Sequence, residues 1–170
     1  APELAAVGRW NVGKPSRVNR LAARRPLARS GAPPGKTRLL NFYRIERAKR
    51  PPVVLVDLPG YGWARVARRE RAAWQRLIEE YLRGREDLKA VVLIVDARHP
   101  PQPADHEAMA FLEAMGRPVV VAATKVDKLP RSRRVAAARA AARELGQGEG
   151  RAIPFSAVEG EGSDALWARL

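Results

Sequence analysis

The fold of this chain is decided by Gly8-Arg9-Trp10-Asn11-Val12-Gly13-Lys14. This stretch follows a short apolar run, residues 4–7, which predicts a buried strand that ends at Gly8. Its spacing is Gly-x-x-x-x-Gly-Lys, which is typical of a phosphate-binding loop between a strand and a helix. In such a loop the glycines let the backbone wrap the anion, backbone N–H groups face it, and Lys14 neutralises charge.

Predicted strands and helices alternate along the rest of the chain. Continuous apolar runs predict strands buried on both faces, and helical spacing of apolar residues predicts helices. The predicted strands are 4–7, 39–45, 53–56, 91–95, 119–123 and 153–155, and the predicted helices are 16–23, 69–82, 104–115, 132–145 and one that begins at Asp164. Residues 24–37 are rich in proline and glycine and predict a loop. This order predicts a mostly parallel sheet with helices on both faces.

Two of these elements carry more specific expectations. Residues 39–45 alternate apolar and polar side chains, which indicates an edge strand. In the helix 132–145, Ser132 is expected to cap the N-terminus, and Gly146 is expected to end the helix.

A second phosphate-side motif, Asp57-Leu58-Pro59-Gly60, ends the predicted strand 53–56. An aspartate at this position can hold a magnesium-bound water, and the Gly60 N–H can sense a terminal phosphate. The strand ends of a parallel α/β sheet form the usual ligand-binding edge, so this motif is expected to lie beside the phosphate-binding loop.

Two further motifs point to guanine. Thr124-Lys125-Val126-Asp127 follows the strand 119–123, and Ser156-Ala157 follows the strand 153–155. The Asp127 carboxylate can accept hydrogen bonds from the N1–H and the amino group of guanine, which adenine cannot supply. The Lys125 stem can cover the base, and the Ala157 N–H can donate to guanine O6. An ATP-dependent enzyme is therefore disfavoured, and the four motifs together predict a guanine-nucleotide site.

The composition bounds the possible partners. The 170 residues are 46% apolar and 29% charged, include no cysteine, and carry a formal net charge of +14. No apolar run approaches the roughly 20 residues of a membrane span, and the absence of cysteine excludes disulfides and thiolate metal sites. The charge favours a polyanionic partner such as RNA, DNA or anionic lipid. A coding bias towards arginine and alanine is the alternative explanation of the charge.

Taken together, these motifs resemble the EngB family (also called YihA or YsxC) of bacterial translation-associated GTPases. The matching stretches are 8–19, 34–37, 57–62, 96–100, 124–127 and 154–157. The stretch 57–62 and the Asp-x-Arg-His segment at 96–99 are specific to this family rather than common to GTPases. The resemblance extends over essentially the whole chain.

The resemblance implies a Ras-like G domain, a three-layer P-loop NTPase fold with a mostly parallel sheet and one antiparallel edge strand, as a single domain over residues 1–170. It implies a cytoplasmic, monomeric protein that binds GTP or GDP with magnesium, hydrolyses GTP to GDP and phosphate, and acts as a switch in assembly of the large ribosomal subunit. The expected partners are the subunit precursor and rRNA, with no membrane contact. Family members usually carry a short extension before the first strand and a complete final helix, and both are expected to be missing or trimmed here.

The same resemblance implies a set of nucleotide-binding residues, and no catalytic residue is assigned. Thr37 would be the switch I threonine that contacts magnesium and the γ-phosphate, and Asp57 would hold magnesium through water. The expected nucleotide-binding residues are Gly8, Asn11, Val12, Gly13, Lys14, Ser16, Thr37, Asp57, Gly60, Thr124, Lys125, Asp127, Ser156 and Ala157.

The phosphate-binding loop departs from the family pattern at Trp10 and Pro15, where the family has serine. The residue after the loop lysine normally ligates magnesium with a hydroxyl and points its N–H at the β-phosphate, and proline has neither group. Proline also disfavours the helical conformation for Lys14, and the Trp10 indole is far larger than a serine side chain. Two functions therefore stay open. One is a working GTP switch, and the other is a nucleotide-impaired scaffold that binds rRNA without a GTP cycle.

Three other features leave alternatives open. An asparagine at the loop position of Asn11 is found in GTPases that use a potassium ion near the β- and γ-phosphates, and that resemblance implies that its amide oxygen would be one ligand of the ion. The alternative is that Asn11 only tolerates the dihedral angles of the loop. Tyr61 stands where many GTPases keep a water-orienting glutamine, so hydrolysis is expected to be slow or to orient its water in another way. The alternative is that Tyr61 simply packs in switch II. Two arginine groups can bind RNA or form solvated helix faces. They are Arg65, Arg68, Arg69 and Arg71 near switch II, and Arg131, Arg133, Arg134, Arg139 and Arg143 on the helix 132–145 and its approach.

Overall fold

The computed structural model describes residues 1–9, 40–47, 49–62 and 68–169. The strands of these residues are β1 (Glu3–Gly8), β2 (Asn41–Arg47), β3 (Arg50–Asp57), β4 (Leu88–Asp96), β5 (Val119–Thr124) and β6 (Ala152–Pro154). The helices are α1 (Arg68–Leu82), α2 (Pro103–Ala114), α3 (Arg131–Glu144) and α4 (Ser163–Trp167). The predicted helix 16–23, the loop 24–37, Arg65, and the site residues Trp10, Asn11, Val12, Gly13, Lys14, Pro15, Ser16 and Thr37 lie outside the described residues.

The strands form one sheet in the order β2-β3-β1-β4-β5-β6. The pair β2–β3 is antiparallel, and β1–β3, β1–β4, β4–β5 and β5–β6 are parallel. Antiparallel neighbours can be joined by a short turn, whereas parallel neighbours need a crossover that a helix usually supplies. The predicted mostly parallel sheet with one antiparallel edge strand is therefore confirmed.

The sheet is covered on both faces, as the apolar runs predict. On one face, Ala5 and Val7 of β1 belong to a cluster that includes Ile78 of α1, Leu112 of α2 and residues of α3. On the other face, a second cluster joins Leu4, Ala6, Ile153, Phe155 and Leu166. All six residues of β1 are buried. By contrast, β2 alternates exposed and more buried positions, as expected of an edge strand.

The expected capping of α3 is right at one end and wrong at the other. Ser132 is not the N-cap, because the helix begins at Arg131 and Pro130 occupies the cap position with extended backbone angles (φ −54°, ψ 141°). Ser132 therefore already lies inside the first turn. Gly146 does end the helix, with a φ of 77°, and the next residue's N–H, on Gln147, donates to the Ala142 carbonyl at 2.8 Å. This hydrogen bond forms only if the residue before Gln147 has a left-handed backbone conformation, and glycine adopts that conformation without strain.

The topology determines where the site lies. Because β1, β3, β4, β5 and β6 run parallel, their carboxyl ends meet at one edge of the sheet. Ala6 pairs with Asp57, and Asp96 pairs with Thr124, so motifs that are far apart in sequence become neighbours. Among the described residues, no helix combines the length and apolar character needed to cross a membrane.

Candidate nucleotide-binding site

The described part of the predicted site consists of a phosphate side and a base side. The phosphate side lies at the ends of β1 and β3, and the base side lies at the ends of β5 and β6. The described residues of the expected set are Gly8, Asp57, Gly60, Thr124, Lys125, Asp127, Ser156 and Ala157. All of them lie at or directly after the carboxyl ends of these strands.

The base side is built around Thr124 and the left-handed residue after it. The buried Thr124 hydroxyl donates to the Val95 carbonyl at 2.7 Å and so ties the end of β5 to β4. Lys125 has a φ of 62° and a ψ of 30°, which turns the chain into the short 3-10 helix Val126–Lys128. A non-glycine residue rarely adopts this conformation. Here it places Asp127 next to the chain that leaves β6.

A hydrogen bond between the two base-side motifs orients the carboxylate of Asp127. The Ser156 hydroxyl donates to Asp127 Oδ1 at 2.9 Å. The backbone reinforces this contact, because the Val126 N–H donates to the Phe155 carbonyl at 3.4 Å. Asp127 remains partly exposed, and each carboxylate oxygen can accept more than one hydrogen bond. The carboxylate can therefore accept from a planar donor pair such as the guanine N1–H and amino group.

Asp96 belongs to this side of the site, and the sequence analysis did not assign it a role. The Lys125 ammonium lies 3.3 Å from Asp96 Oδ2, and the Arg98 guanidinium donates to both carboxylate oxygens at 3.1 and 2.8 Å. Burial by itself raises the pKa of Asp96, but the hydrogen bonds from Arg98 and the charge of Lys125 outweigh it, so the pKa lies well below its usual range. Asp96 is therefore ionised and holds the Lys125 stem in place.

A signal for Asp96 was present in the sequence. An aspartate that directly follows the apolar run 91–95 must lie at the ligand-binding edge of a parallel sheet. Its partner could not be read from the sequence, since Lys125 is brought beside it by the pairing of β4 with β5.

On the phosphate side, the segment after β3 runs against the end of β1. The Leu58 N–H donates to the Ala6 carbonyl at 3.0 Å, and the Tyr61 N–H donates to the Gly8 carbonyl at 3.2 Å. The Trp74 indole N–H of α1 donates to the Pro59 carbonyl at 2.7 Å. Asp57 and Gly60, both buried, are thereby held beside Gly8, where the phosphate-binding loop begins.

Asp105 joins this segment to the start of the phosphate-binding loop, and the sequence analysis missed it. Its fully buried carboxylate accepts hydrogen bonds from the Tyr61 hydroxyl at 2.9 Å, from Arg9 Nε at 3.2 Å and from the Gln102 N–H at 2.7 Å. A sequence pattern predicts only that an aspartate in a first helical turn favours the helix start. Its burial comes from the packing of α2 against Arg9 and Tyr61.

Tyr61 packs in the fold, which is one of the two alternatives that its sequence position left open. Tyr61 is 8% exposed, and its ring makes an edge contact with the Trp74 ring at 5.9 Å between centroids. Burial, and then the charge of Asp105, raise the pKa of the Tyr61 hydroxyl well above its usual range. The phenol is therefore a neutral donor already engaged with Asp105.

The described side chains limit where a metal ion can be held. No group of three or more His, Cys, Asp or Glu side chains that could hold a metal ion occurs in the part of the chain that the structure describes. Magnesium commonly binds through one or two carboxylates together with substrate phosphates. The buried Asp57 at the phosphate side fits that requirement, and Thr37 lies outside the described residues.

Family comparison agrees with this arrangement. Residues 3–125 match the model of a family described as 50S ribosome-binding GTPase. The chain is 59% identical to a "Probable GTP-binding protein EngB" of Anaeromyxobacter sp. (strain K), over 99% of this chain and 81% of that protein. It is 44% identical to the "Probable GTP-binding protein EngB" of Oceanobacillus iheyensis, over 99% of this chain and 85% of that protein.

Solved structures show the same fold. A crystal structure of a probable GTP-binding protein EngB has a TM-score of 0.67 and 25% identity, and covers 98% of this chain and 95% of that one. The structure of Era in complex with MgGDPNP and 16S ribosomal RNA has a TM-score of 0.75 at 22% identity, over 98% of this chain and 54% of Era. The similarity to Era shows only that the two proteins share a fold.

We expect Tyr61→Phe to lower the free energy of unfolding by about 1–3 kcal/mol, because Asp105 loses a hydrogen-bond donor while buried. Tyr81→Phe is the matched control, since the Tyr81 hydroxyl donates to the buried Glu3 at 3.1 Å and Arg85 pairs with the same carboxylate at the opposite end of β1. Urea unfolding should show a similar loss for both variants. The GTP hydrolysis rate should fall by less than tenfold in both, because Arg9 still pairs with Asp105 when the Tyr61 hydroxyl is removed. A hydrolysis rate at least tenfold lower in Tyr61→Phe alone would contradict the packing role.

Proposed function

Because the chain belongs to the EngB family of GTP-binding proteins, we propose that it is a GTP-controlled switch that acts in assembly of the large ribosomal subunit. The guanine nucleotide binds at the carboxyl edge of the sheet. The observation that carries the guanine-binding part of this proposal is the 2.9 Å hydrogen bond from Ser156 to Asp127, which orients a carboxylate for guanine after the end of β5.

Base selection is assigned to three groups on the base side. Asp127 accepts hydrogen bonds from the guanine N1–H and amino group, the Ala157 N–H donates to O6, and the Lys125 stem covers the base face. Asp96 supports this arrangement because it holds the Lys125 ammonium at 3.3 Å. Adenine offers an acceptor at N1 and no amino group at C2, so it cannot make the hydrogen bonds to Asp127.

Asp127→Asn is expected to weaken GDP binding by about 1–3 kcal/mol, the scale of losing a charged hydrogen-bond partner. It should also shift preference towards xanthine nucleotides, whose C2 oxygen can accept from the asparagine amide. Titration with GDP, XDP and ADP measures both effects. Asp87→Asn removes an acid that is 62% exposed near the other end of the sheet, and it should leave all three affinities unchanged. Equal affinity of the parent protein for GDP and ADP would contradict guanine selection.

The ribosomal part of the proposal is supported by charge and by the family description. The net charge of +14 favours a polyanionic partner, and the matched family is described as ribosome-binding. Arg68, Arg69 and Arg71 are exposed at the start of α1. The same helix contacts the phosphate side through Trp74. A movement of the segment 57–62 would therefore also move a basic surface.

RNA binding should weaken steeply with salt, because each phosphate contact releases counterions. Changing Arg65, Arg68, Arg69 and Arg71 to alanine should flatten the slope of log affinity for rRNA against log salt concentration. The matched control removes an equal charge from α3 by changing Arg131, Arg133, Arg139 and Arg143 to alanine, and it should flatten the slope less. An unchanged slope in the first variant would place the RNA contact elsewhere. RNA binding that does not depend on salt, or no RNA binding at all, would contradict the inference of a polyanionic partner from net charge.

A second candidate function is the nucleotide-impaired scaffold, which Trp10 and Pro15 favour. Magnesium, when bound, would supply positive charge to the phosphates, and Pro15 cannot offer it a hydroxyl. In that case the basic surface and the fold would persist while the nucleotide cycle is weak.

A titration of GTP with and without magnesium separates these two functions. Under the impairment hypothesis, the double variant Trp10→Ser, Pro15→Ser should bind GTP more tightly than the parent by about 1–3 kcal/mol or more, the scale of regained charge-assisted hydrogen bonds. It should also gain dependence on magnesium. If the parent binds GTP with magnesium as well as the double variant does, the scaffold hypothesis is wrong and the GTP switch stands.

A further inference from the structure

Arg134 differs from the other arginines of α3 in its surroundings. It is 7% exposed, whereas Arg131, Arg133, Arg139 and Arg143 are exposed. A buried guanidinium is costly unless it is paired. Arg134 Nη1 lies 2.7 Å from Glu159 Oε2 and 2.8 Å from Glu161 Oε2, and Nε donates to the Leu129 carbonyl at 3.2 Å.

These contacts join the two base-side segments. The Leu129 carbonyl directly follows the short helix that contains Asp127, and both glutamates belong to the loop that follows Ser156. The planar guanidinium presents several N–H groups in a fixed fork, so it can contact both segments at once. Arg134 therefore holds the Asp127 segment and the Ser156 segment at a fixed separation.

The loop carries this constraint to Asp127 through Ser156. The Glu159 N–H donates to the Ser156 hydroxyl oxygen at 3.0 Å, and that hydroxyl donates its proton to Asp127 Oδ1 at 2.9 Å. The turn is closed by two backbone bonds, from Gly160 N–H to the Ser156 carbonyl at 2.8 Å and from Ser156 N–H to the Glu161 carbonyl at 3.0 Å. Displacing Glu159 would thus remove the group that directs the Ser156 hydroxyl.

Gly162 anchors the far end of the loop. Its φ is 87°, and a Cβ at this position would lie 2.3 Å from the Pro154 carbonyl oxygen. The loop leaves β6 at Pro154, and Gly162 brings the chain back against the same residue. Between these two points of the chain, Glu159 and Glu161 pair with Arg134 on α3.

We propose that Arg134 is a positioning residue for guanine recognition. It holds the loop after Ser156 so that the serine hydroxyl keeps the Asp127 carboxylate oriented towards the N1–H and the amino group of the base. The inference rests on the proposed reading of guanine by Asp127. It assigns Arg134 to selection of the base rather than to the phosphates, which bind at the ends of β1 and β3.

Base selectivity is the readout that a merely structural role would not change. Isothermal titrations of the parent, Arg134→Ala, Arg134→Lys and the neighbouring control Arg133→Ala with GDP, IDP and ADP measure it, because inosine lacks the 2-amino group of guanine. Arg134→Ala should weaken GDP binding about tenfold, the scale of losing charge-assisted hydrogen bonds, and should lower the GDP-to-IDP preference by about threefold or more. Lysine cannot reproduce the fork, so Arg134→Lys should also lower the preference. Arg133→Ala should match the parent.

A mutant cycle tests whether Arg134 acts through Ser156. In a Ser156→Ala background, Arg134→Ala should change the GDP-to-IDP preference by less than twofold, because the hydroxyl that it positions is already absent. If Arg134→Ala does not fold, as judged by circular dichroism, the shape-conserving pair Glu159→Gln, Glu161→Gln takes its place with the same expected loss of preference.

The possible results distinguish the positioning role of Arg134 from the proposed recognition of guanine by Asp127. Arg134→Ala that weakens GDP and IDP equally, in a parent that prefers GDP to ADP, overturns the positioning role and leaves guanine recognition intact. A parent that binds GDP and ADP equally overturns both. A fall in the GDP-to-IDP preference with unchanged ADP affinity supports the role of Arg134.

Discussion

The parallel pairing of β1 with β3 on one side and with β4 on the other is the constraint on which the rest of the structure depends. Because β1 is buried on both faces, each of its backbone groups must find a partner in a neighbouring strand. Parallel register brings the carboxyl ends of these strands to one edge. The motifs that begin at the strand ends Gly8, Asp57, Asp96 and Thr124 therefore lie at one edge of the sheet, although the chain separates them widely.

Buried carboxylates with fixed partners lie at both ends of this sheet. Asp105 accepts from Tyr61 and Arg9 at the ligand edge, and Glu3 is held by Tyr81 and by Arg85 at the opposite end. A buried charge is tolerated only when its partners are in place, so each cluster restricts the elements around it. At the ligand edge this restriction serves a second purpose, since it fixes the start of the phosphate-binding loop against the segment after β3.

On the base side, too, buried charged groups are held by ion pairs, with a different set of partners. Asp96 holds Lys125 from one side, and the Arg134 cluster holds the Ser156 loop from the other. The Asp127 carboxylate accepts the hydrogen bond of the Ser156 hydroxyl, which belongs to that loop. A carboxylate that is oriented before the base arrives loses little conformational entropy on binding, and preorganised polar groups discriminate best between bases that differ by one donor.

The order of the described strands and helices, the edge position of β2, the end of α3 at Gly146 and the place of the described motifs at strand ends could be predicted from the sequence. Apolar periodicity, glycine and motif spacing are local properties. The predicted start of α3 was wrong, since Pro130 rather than Ser132 occupies the cap. The buried roles of Asp96, Asp105 and Arg134 could not be predicted from local patterns. Only the tertiary structure decided these roles. Arg9 and Asp105 are 96 positions apart, and Arg134 and Glu159 are 25 apart. Whether a charged side chain is buried and paired depends on which distant segments the sheet brings beside it, and no local pattern records that.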